Sequence, residues 1–173
     1  YVLGPLAAVI CLYAVWLLGR EVAGEFKALI AVAALAALHY YNISVVKFAH
    51  DQMQLPFWAL TGLFFWRAIV RGRTVDWMLA GAFLAGAFWS KYAAFALAAT
   101  LGLILLLDPF ARRAWRTPGP YVMAAVFALV IAPNIWWLVN NDFMPFHYVD
   151  ERAVGAARWY HYLLFPLRWT GGQ

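Results

Sequence analysis

The chain has little charge: Asp, Glu, Lys and Arg make up 12% of its 173 residues, against about 25% in an ordinary soluble domain. A single cysteine, Cys11, excludes an internal disulfide framework. No zinc-ligand spacing, P-loop, dinucleotide fingerprint or serine-hydrolase elbow occurs, so these chemistries have no support. The net charge of +5 comes from basic residues confined to loops, which favours membrane topology over nucleic-acid binding.

What the chain has in excess is apolar sequence, at 66% of its residues. A helix needs about 20 apolar residues to cross the hydrocarbon core of a bilayer. On this criterion the sequence predicts an all-α, polytopic bundle of about six transmembrane spans, forming one domain over residues 1–173. The predicted spans are residues 2–18, 28–46, 55–69, 77–89, 92–107 and 120–139, followed by an outer loop at 140–161.

The fourth and fifth spans form one apolar run that is interrupted at Ser90-Lys91-Tyr92. A single helix over residues 77–107 would be about 46 Å long, well beyond a hydrocarbon core of about 30 Å, and would leave Lys91 near the midplane. We therefore expect a helical hairpin with Lys91 at the turn.

The hairpin assigns the loops to two sides, and these differ in basic residues. One side holds Arg20, Lys27, Arg67, Arg71, Arg73, Arg112, Arg113 and Arg116, and the other holds Lys47, Lys91, Arg152 and Arg158. The richer side is expected to be cytoplasmic. Asp51, Lys91 and the loop at 140–161 then lie on the extracytoplasmic face. Tyr40 and Tyr41 lie near the same boundary, as residues of an interfacial aromatic belt do.

Asp51 stands between the second and third spans. Desolvation at the rim of a membrane domain raises the pKa of a carboxyl group unless a cation compensates, which suits the group to accept a proton from an attacking hydroxyl. The alternative is that Asp51 caps the helix of the third span.

Lys91 is the clearest candidate for a functional cation. An ammonium between two apolar helices is costly unless it pairs with an anion or reaches water, and a phosphate at the membrane surface would meet that need. The alternative is a lysine that snorkels to water without a ligand.

The outer loop supplies two further candidates. Arg152 could clamp a phosphate through two hydrogen bonds, and His147 could ligate a metal or transfer a proton. The alternative for each is a solvated loop residue.

Several short motifs occur in an order that resembles one enzyme family. They are His50-Asp51-Gln52-Met53-Gln54-Leu55-Pro56, Gly86-Ala87-Phe88-Trp89-Ser90-Lys91-Tyr92, Ala132-Pro133-Asn134-Ile135-Trp136-Trp137 and Phe146-His147. Together they resemble glycosyltransferase family 39, the bacterial relatives of the dolichyl-phosphate-mannose protein mannosyltransferases in the GT-C superfamily.

The resemblance implies an integral membrane enzyme of the bacterial inner membrane. It would transfer a sugar, with inversion, from a polyprenyl-phosphate carrier to a lipid, glycan or protein acceptor on the periplasmic side. By the resemblance, Asp51 is a catalytic carboxylate, and Lys91 and Arg152 contact the carrier phosphate. His147 matches a loop histidine that helps to bind a divalent metal in some members of the family. No nucleic acid is implied.

The family's principal catalytic acid lies in a first large outer loop, N-terminal to the residues present. We therefore expect the chain to be a fragment of a longer protein and inactive alone. The alternatives are a transporter or flippase core and an assembly subunit without chemistry. Transport is disfavoured because Lys91 is the sole candidate for a charge within the spans. For the enzyme we expect Asp51, Lys91 and Arg152 to line one outward cavity, within about 15 Å of each other.

Overall fold

The computed structural model describes residues 2–44 and 49–147, and the regular structure in this part of the chain is helical. The helices are α1 (Leu3–Ala23), α2 (Glu25–Ala37), α3 (His39–Asn42), α4 (His50–Arg71), α5 (Thr74–Ser90), α6 (Ala94–Leu107), a 3₁₀ helix (Ala111–Arg116) and α7 (Gly119–Asn140).

The chain divides into two compact units, Tyr1–Ala132 and Pro133–Gln173. In the second unit, the side-chain amides of Asn140 and Asn141 donate to the carbonyl oxygens of Trp136 and Trp137, both over 2.8 Å. These bonds satisfy two carbonyl groups that the end of α7 would otherwise leave without partners.

In the first unit, tight turns join α1 to α2 and α4 to α5. Gly24 and Gly72 occupy these turns with φ angles of 89° and 66°, a region that residues with a Cβ rarely adopt. Gly72 ends α4 in the left-handed conformation, and the chain returns as α5 alongside α4.

Helix α5 forms the centre of the buried core. Its buried residues include Trp77, Ala80, Leu84, Ala85 and Phe88. A Cβ at Gly81 would collide with the backbone carbonyl of Met123, so the start of α7 lies directly against α5.

The helix breaks after Ser90, where Lys91 adopts an extended backbone with φ −163° and ψ 134°. The rings of Phe88 and Phe95 then meet edge to face, with centroids 4.7 Å apart. Further along α6, Leu101 and Ile104 line a cavity with Ile69, near the end of α4. The chain therefore reverses at Lys91 as predicted, and a continuous helix over residues 77–107 is excluded.

An ion cluster joins α1 to α4 at the end where the basic loops gather. Glu21 accepts hydrogen bonds from Arg67 Nε over 2.8 Å and from Arg71 Nη2 over 2.9 Å. The 3₁₀ helix lies at this end too, because Gly72 and Arg113 line one cavity. We call this the basic end, and the opposite end, where α4 starts and α5 stops, the Lys91 end.

The predicted spans correspond to helices, with one exception. Residues 28–46 were predicted as one span, but α2 ends at Ala37 because Leu38 is extended (φ −69°, ψ 135°), and α3 is only one turn. Within residues 2–44 and 49–147, two helices are long and apolar enough to cross a membrane, Leu3–Ala23 and Gly119–Asn140, while Ala94–Leu107 is apolar but shorter. The six-span bundle thus stays a prediction.

Candidate functional site

Lys91 and Asp51 meet at the Lys91 end of the first unit. Lys91 Nζ donates a hydrogen bond to Asp51 Oδ1 over 2.6 Å, although the two residues are 40 positions apart. The side chains are 43% and 41% exposed, so the pair remains open to solvent or to a ligand. Helix α4 supplies the carboxylate from its first turn, and the break after α5 supplies the ammonium.

The alternative in which Asp51 caps α4 is wrong. The N-cap position belongs to Ala49, and its backbone N–H donates to the side-chain Oε1 of Gln52 over 3.1 Å. Asp51 lies in the first turn, where a negative charge interacts favourably with the helix dipole.

The pKa of Asp51 is lowered, and its largest cause is the hydrogen bond from Lys91. Desolvation acts in the opposite direction, and the charges of Lys91 and His50 add to the lowering. His50 Nε2 lies 3.7 Å from Asp51 Oδ2. The raised pKa expected for an isolated rim carboxylate is therefore not found, because a cation compensates.

The pair borders a cavity of about 370 Å³, which we call the Lys91 cavity. Its lining residues come from α1, α3, α4 and the start of the segment after Lys91: Cys11, Val15, Tyr40, Tyr41, Asp51, Gln54, Leu55, Trp58, Ala59, Lys91 and Ala93. Among the described residues the indole Nε1 of Trp58, which is buried, has no hydrogen-bond partner. An apolar wall with a few polar groups is typical of a small-molecule site.

A second cavity of about 520 Å³ lies next to His50, and we call it the His50 cavity. It is lined by Ala49, His50, Met53, Phe57, Gly86, Trp89 and Ser90. Since His50 and Asp51 are adjacent on α4, and Ser90 ends α5 directly before Lys91, the ion pair lies at the boundary between the two cavities.

The roles predicted for the other two site residues, His147 and Arg152, stay predictions. His147 lies in the second unit and is exposed. Arg152 lies outside the described residues, so its predicted phosphate contact stays a prediction. Across residues 2–44 and 49–147, no three His, Cys, Asp or Glu side chains are grouped as metal ligands. The described residues therefore do not provide a metal site for His147.

Asp51 and Lys91 line one cavity, as the sequence analysis expected, but their direct ion pair was missed. The contribution of Tyr40, Tyr41 and Trp58 to the same cavity was missed as well. The two tyrosines had been assigned to an interfacial belt. The available signal was the position of the two tyrosines in the sequence. Tyr40 and Tyr41 lie in the short connection between α2 and α4, which keeps them at the same end of the helices as Asp51.

The described residues thus form an apolar helical protein with an ion pair that borders a cavity at one end of its helices. The sequence model of the family described as dolichyl-phosphate-mannose-protein mannosyltransferase matches residues 1–137 of this chain. The chain belongs to that family, which indicates a membrane glycosyltransferase of the GT-C type with a mannosyltransferase-like activity. No curated protein and no solved structure matches the chain.

Proposed function

We propose that the Lys91 end binds the phosphate of a polyprenyl-phosphate sugar and that the sugar is transferred there to an acceptor hydroxyl. The observation that carries this proposal is the half-exposed Lys91–Asp51 pair on the wall of a cavity. Lys91 supplies the charge for the phosphate, and Asp51 acts on the acceptor.

The exposure of Lys91 supports its role. A lysine whose carboxylate partner is held in a single exposed contact can exchange that partner for a phosphate at little cost, because exposed pairs contribute only about 0–1 kcal/mol. A phosphate carries more charge and more acceptor oxygens than a carboxylate, and lysine binds it as a point charge.

Trp58 supports a ligand in the same cavity. A buried donor without a partner costs about 1–3 kcal/mol, and among the described residues Trp58 Nε1 is such a donor. A small rotation of the indole would let it donate to an oxygen of the bound sugar or phosphate. The hydroxyl groups of Tyr40 and Tyr41 belong to the same wall.

The proposed step conserves atoms and charge. The acceptor oxygen forms a bond to the anomeric carbon from the face opposite the phosphate, so the configuration inverts. The bond between that carbon and the phosphate oxygen breaks, and its electron pair remains on the phosphate, where Lys91 stabilises the developing charge. The proton of the acceptor hydroxyl goes to the Asp51 carboxylate.

Donor binding would also prepare Asp51 for this role. The hydrogen bond from Lys91 is the largest cause that lowers the pKa of Asp51, which makes the paired carboxylate a weak base. When a phosphate takes over Lys91, that cause is removed while desolvation, which raises the pKa, remains. The carboxylate then becomes a better proton acceptor only when the donor is present.

The His50 cavity is the approach that we propose for the acceptor. It is lined by His50 and Ser90, the sequence neighbours of Asp51 and Lys91, and by the aromatic side chains of Phe57 and Trp89. The orientation follows from charge: the basic end faces the cytoplasm, and the Lys91 end faces the periplasm of a bacterial inner membrane.

A direct test uses the complete protein in nanodiscs with a polyprenyl-phosphate mannose, the sugar that the family description names. We expect release of polyprenyl phosphate with transfer of the sugar to a hydroxyl acceptor. Unlabelled polyprenyl phosphate should inhibit at least about 10-fold more strongly than the uncharged polyprenol, a difference of about 1.4 kcal/mol. Equal inhibition by the two lipids would show that the phosphate is not what the site binds.

A further inference from the structure

A small cavity lies at the basic end, between the turn after α4 and the 3₁₀ helix. Its volume is about 170 Å³, and its lining includes Gly72 and Trp77 on one side and Phe110, Arg113 and Thr117 on the other. Pockets that enclose a whole drug-sized ligand are about 300–1,000 Å³, so this one suits a single small group. We call it the Arg113 cavity, because Arg113 is the charged residue among the described residues that line it.

The carboxylates at this end do not neutralise Arg113. Asp108 Oδ1 accepts hydrogen bonds from two backbone N–H groups of the following turn, over 2.9 and 2.7 Å. Glu21 pairs with the two arginines at the end of α4. Asp76 is buried, and its Oδ2 has no hydrogen-bond partner in the described part of the chain. Within residues 2–44 and 49–147, Arg113 therefore lines its cavity without an ion-paired carboxylate.

A second cation shares the side of the 3₁₀ helix on which Arg113 lies. A 3₁₀ helix has three residues per turn and rises about 2.0 Å per residue, so residues three apart lie above one another, about 6 Å apart. Arg113 and Arg116 have this spacing, and both are exposed. Like charges one turn apart repel each other, and an anion bound between them would remove that repulsion.

The 3₁₀ helix is fixed to the elements on either side of it. Trp115 Nε1 donates to the carbonyl oxygen of Leu105 over 2.9 Å, and the Trp115 ring meets that of Tyr121 edge to face at 5.7 Å. The hydroxyl of Thr117 donates to the carbonyl oxygen of Ala114 over 2.7 Å. The proton of Thr117 is therefore used within the turn, and Arg113 supplies the charge that the cavity offers to a ligand.

The cavity lies at the level where apolar helices give way to charged residues. Helix α6 is apolar up to its end at Leu107, and α4 ends at Arg71. In a bilayer this level corresponds to the boundary between the hydrocarbon core and the headgroups. Leu107 is 72% exposed and Phe110 is 54% exposed, so apolar side chains lie next to the basic cavity. A ligand that matches both features has an anionic head and hydrocarbon chains.

We propose that the Arg113 cavity binds the phosphate of an anionic phospholipid in the leaflet at the basic end. Arg113 donates hydrogen bonds to the phosphate, Arg116 adds a second positive charge, and the acyl chains lie along the exposed apolar side of α6. Arginine suits this role because its guanidinium group can donate two parallel hydrogen bonds to one phosphate. Basic pockets between membrane helices bind lipid headgroups in this way.

This inference does not rest on the proposed sugar transfer. The Arg113 cavity and the Lys91 end lie at opposite ends of α4, and they share no lining residue. The phospholipid is a membrane component that binds the protein, and it is neither the sugar donor nor the acceptor.

Arg112 offers a matched control. It is the neighbour of Arg113 on the same 3₁₀ helix and is also exposed, but it does not line the cavity. Arg112→Gln and Arg113→Gln each remove one positive charge from the same loop. They therefore change the general attraction of the basic end to anionic lipids by the same amount.

The test compares wild type, Arg113→Gln and Arg112→Gln, each as the complete protein in detergent micelles. The probes are dioleoyl phosphatidylglycerol, dioleoyl phosphatidylcholine and glycerol phosphate, which carries the anionic group without acyl chains. A ligand that binds the folded state raises the midpoint of thermal unfolding, so a titration gives an apparent dissociation constant.

We expect wild type to bind phosphatidylglycerol at least about 10-fold more tightly than phosphatidylcholine. Arg113→Gln should weaken the binding of phosphatidylglycerol at least about 10-fold, and Arg112→Gln less than about 2-fold. Glycerol phosphate should leave the midpoint unchanged at the same concentration. Native mass spectrometry gives a readout that does not depend on stability: phosphatidylglycerol should remain bound to wild type and Arg112→Gln and be lost from Arg113→Gln.

The inference is overturned if wild type binds the two phospholipids equally. It is also overturned if both variants lose phosphatidylglycerol to the same extent, since that result would indicate attraction to the basic surface as a whole. A response to glycerol phosphate equal to that for phosphatidylglycerol would show that the site binds a free phosphate and not a lipid.

Discussion

Helix α4 takes part in an ion pair at each end, and the two pairs differ in exposure and in the number of partners. At the basic end, Glu21 and Arg67 are 18% and 17% exposed, and Arg71 is a second cation on the same carboxylate oxygen. At the Lys91 end, Asp51 and Lys91 are 41% and 43% exposed. Both pairs include a contact of 2.6 Å, so distance does not separate them.

The difference separates a structural pair from one that can bind a ligand. Glu21 holds two arginines of α4 against α1, and removing it would leave the partly buried Arg67 without its carboxylate. Asp51 holds one accessible lysine beside a cavity, so a phosphate can replace it. An ion pair therefore holds α1 against α4 at the basic end, whereas the ion pair at the Lys91 end leaves its lysine accessible to a ligand.

The largest effect should come from Lys91→Ala. It removes the proposed counterion of the leaving phosphate, and we expect turnover to fall on the order of 1,000-fold. Membrane insertion and thermal unfolding should stay near wild type, because the lost pair is half exposed. Sugar transfer by protein reconstituted in nanodiscs measures the effect.

Lys27→Ala is the control for this prediction, since Lys27 is an exposed lysine at the start of α2. Normal turnover of Lys91→Ala would remove the phosphate contact from the account.

Asp51→Asn should have the next largest effect. The amide keeps the size of the side chain but cannot accept the proton of the acceptor hydroxyl, so we expect turnover to fall roughly 100-fold. The affinity for the donor should be unchanged or improved, because Lys91 no longer has a competing carboxylate. Donor binding and turnover, measured separately, distinguish the two effects.

Glu25→Gln provides a matched control, because Glu25 is an exposed carboxylate in the first turn of α2. Wild-type turnover of Asp51→Asn would mean that Asp51 is only a partner of Lys91.

Glu21→Gln should lower the stability of the fold and leave sugar transfer nearly unchanged. It leaves Arg67 and Arg71 without their carboxylate, and we expect a loss of about 2 kcal/mol in the free energy of unfolding. Turnover per folded molecule should change less than about 2-fold. Thermal unfolding in detergent measures the first quantity. If Glu21→Gln unfolds like wild type while its turnover collapses, the assignment of the two ends is reversed.

The smallest effect concerns pH. Because the folded-state pKa of Asp51 is lowered below its ordinary value of 3.8, the ion pair contributes fully above that value and is lost as the pH falls through the folded-state pKa. The difference in unfolding midpoint between wild type and Asp51→Asn should stay constant from about pH 8 to pH 5 and shrink only in stronger acid. A change centred near neutral pH would indicate a raised pKa and an unpaired carboxylate in the free protein.

Hydropathy and length were enough to predict the helices and the reversal at Lys91, because an apolar run of residues 77–107 is too long for one span. Hydropathy and length placed the end of the second span too late in the sequence. The apolar pattern continues through Leu38, but the backbone of Leu38 is extended and α2 ends at Ala37. The sequence predicted that Asp51 and Lys91 line one cavity, but not that they form an ion pair. Their pairing depends on how α4 and α5 pack, which no local pattern encodes, and this pairing reversed the expected direction of the Asp51 pKa.

Cysteine labelling at Ala93 tests the central claim most directly, because Ala93 is exposed and lines the Lys91 cavity while both members of the ion pair remain intact. The experiment uses Ala93→Cys in a Cys11→Ser background, since Cys11 lines the same cavity. A membrane-impermeant thiol reagent should label position 93 from the extracytoplasmic side, and polyprenyl phosphate should slow the labelling while polyprenol does not. Labelling from the cytoplasmic side alone, or at a rate that polyprenyl phosphate leaves unchanged, would contradict the account.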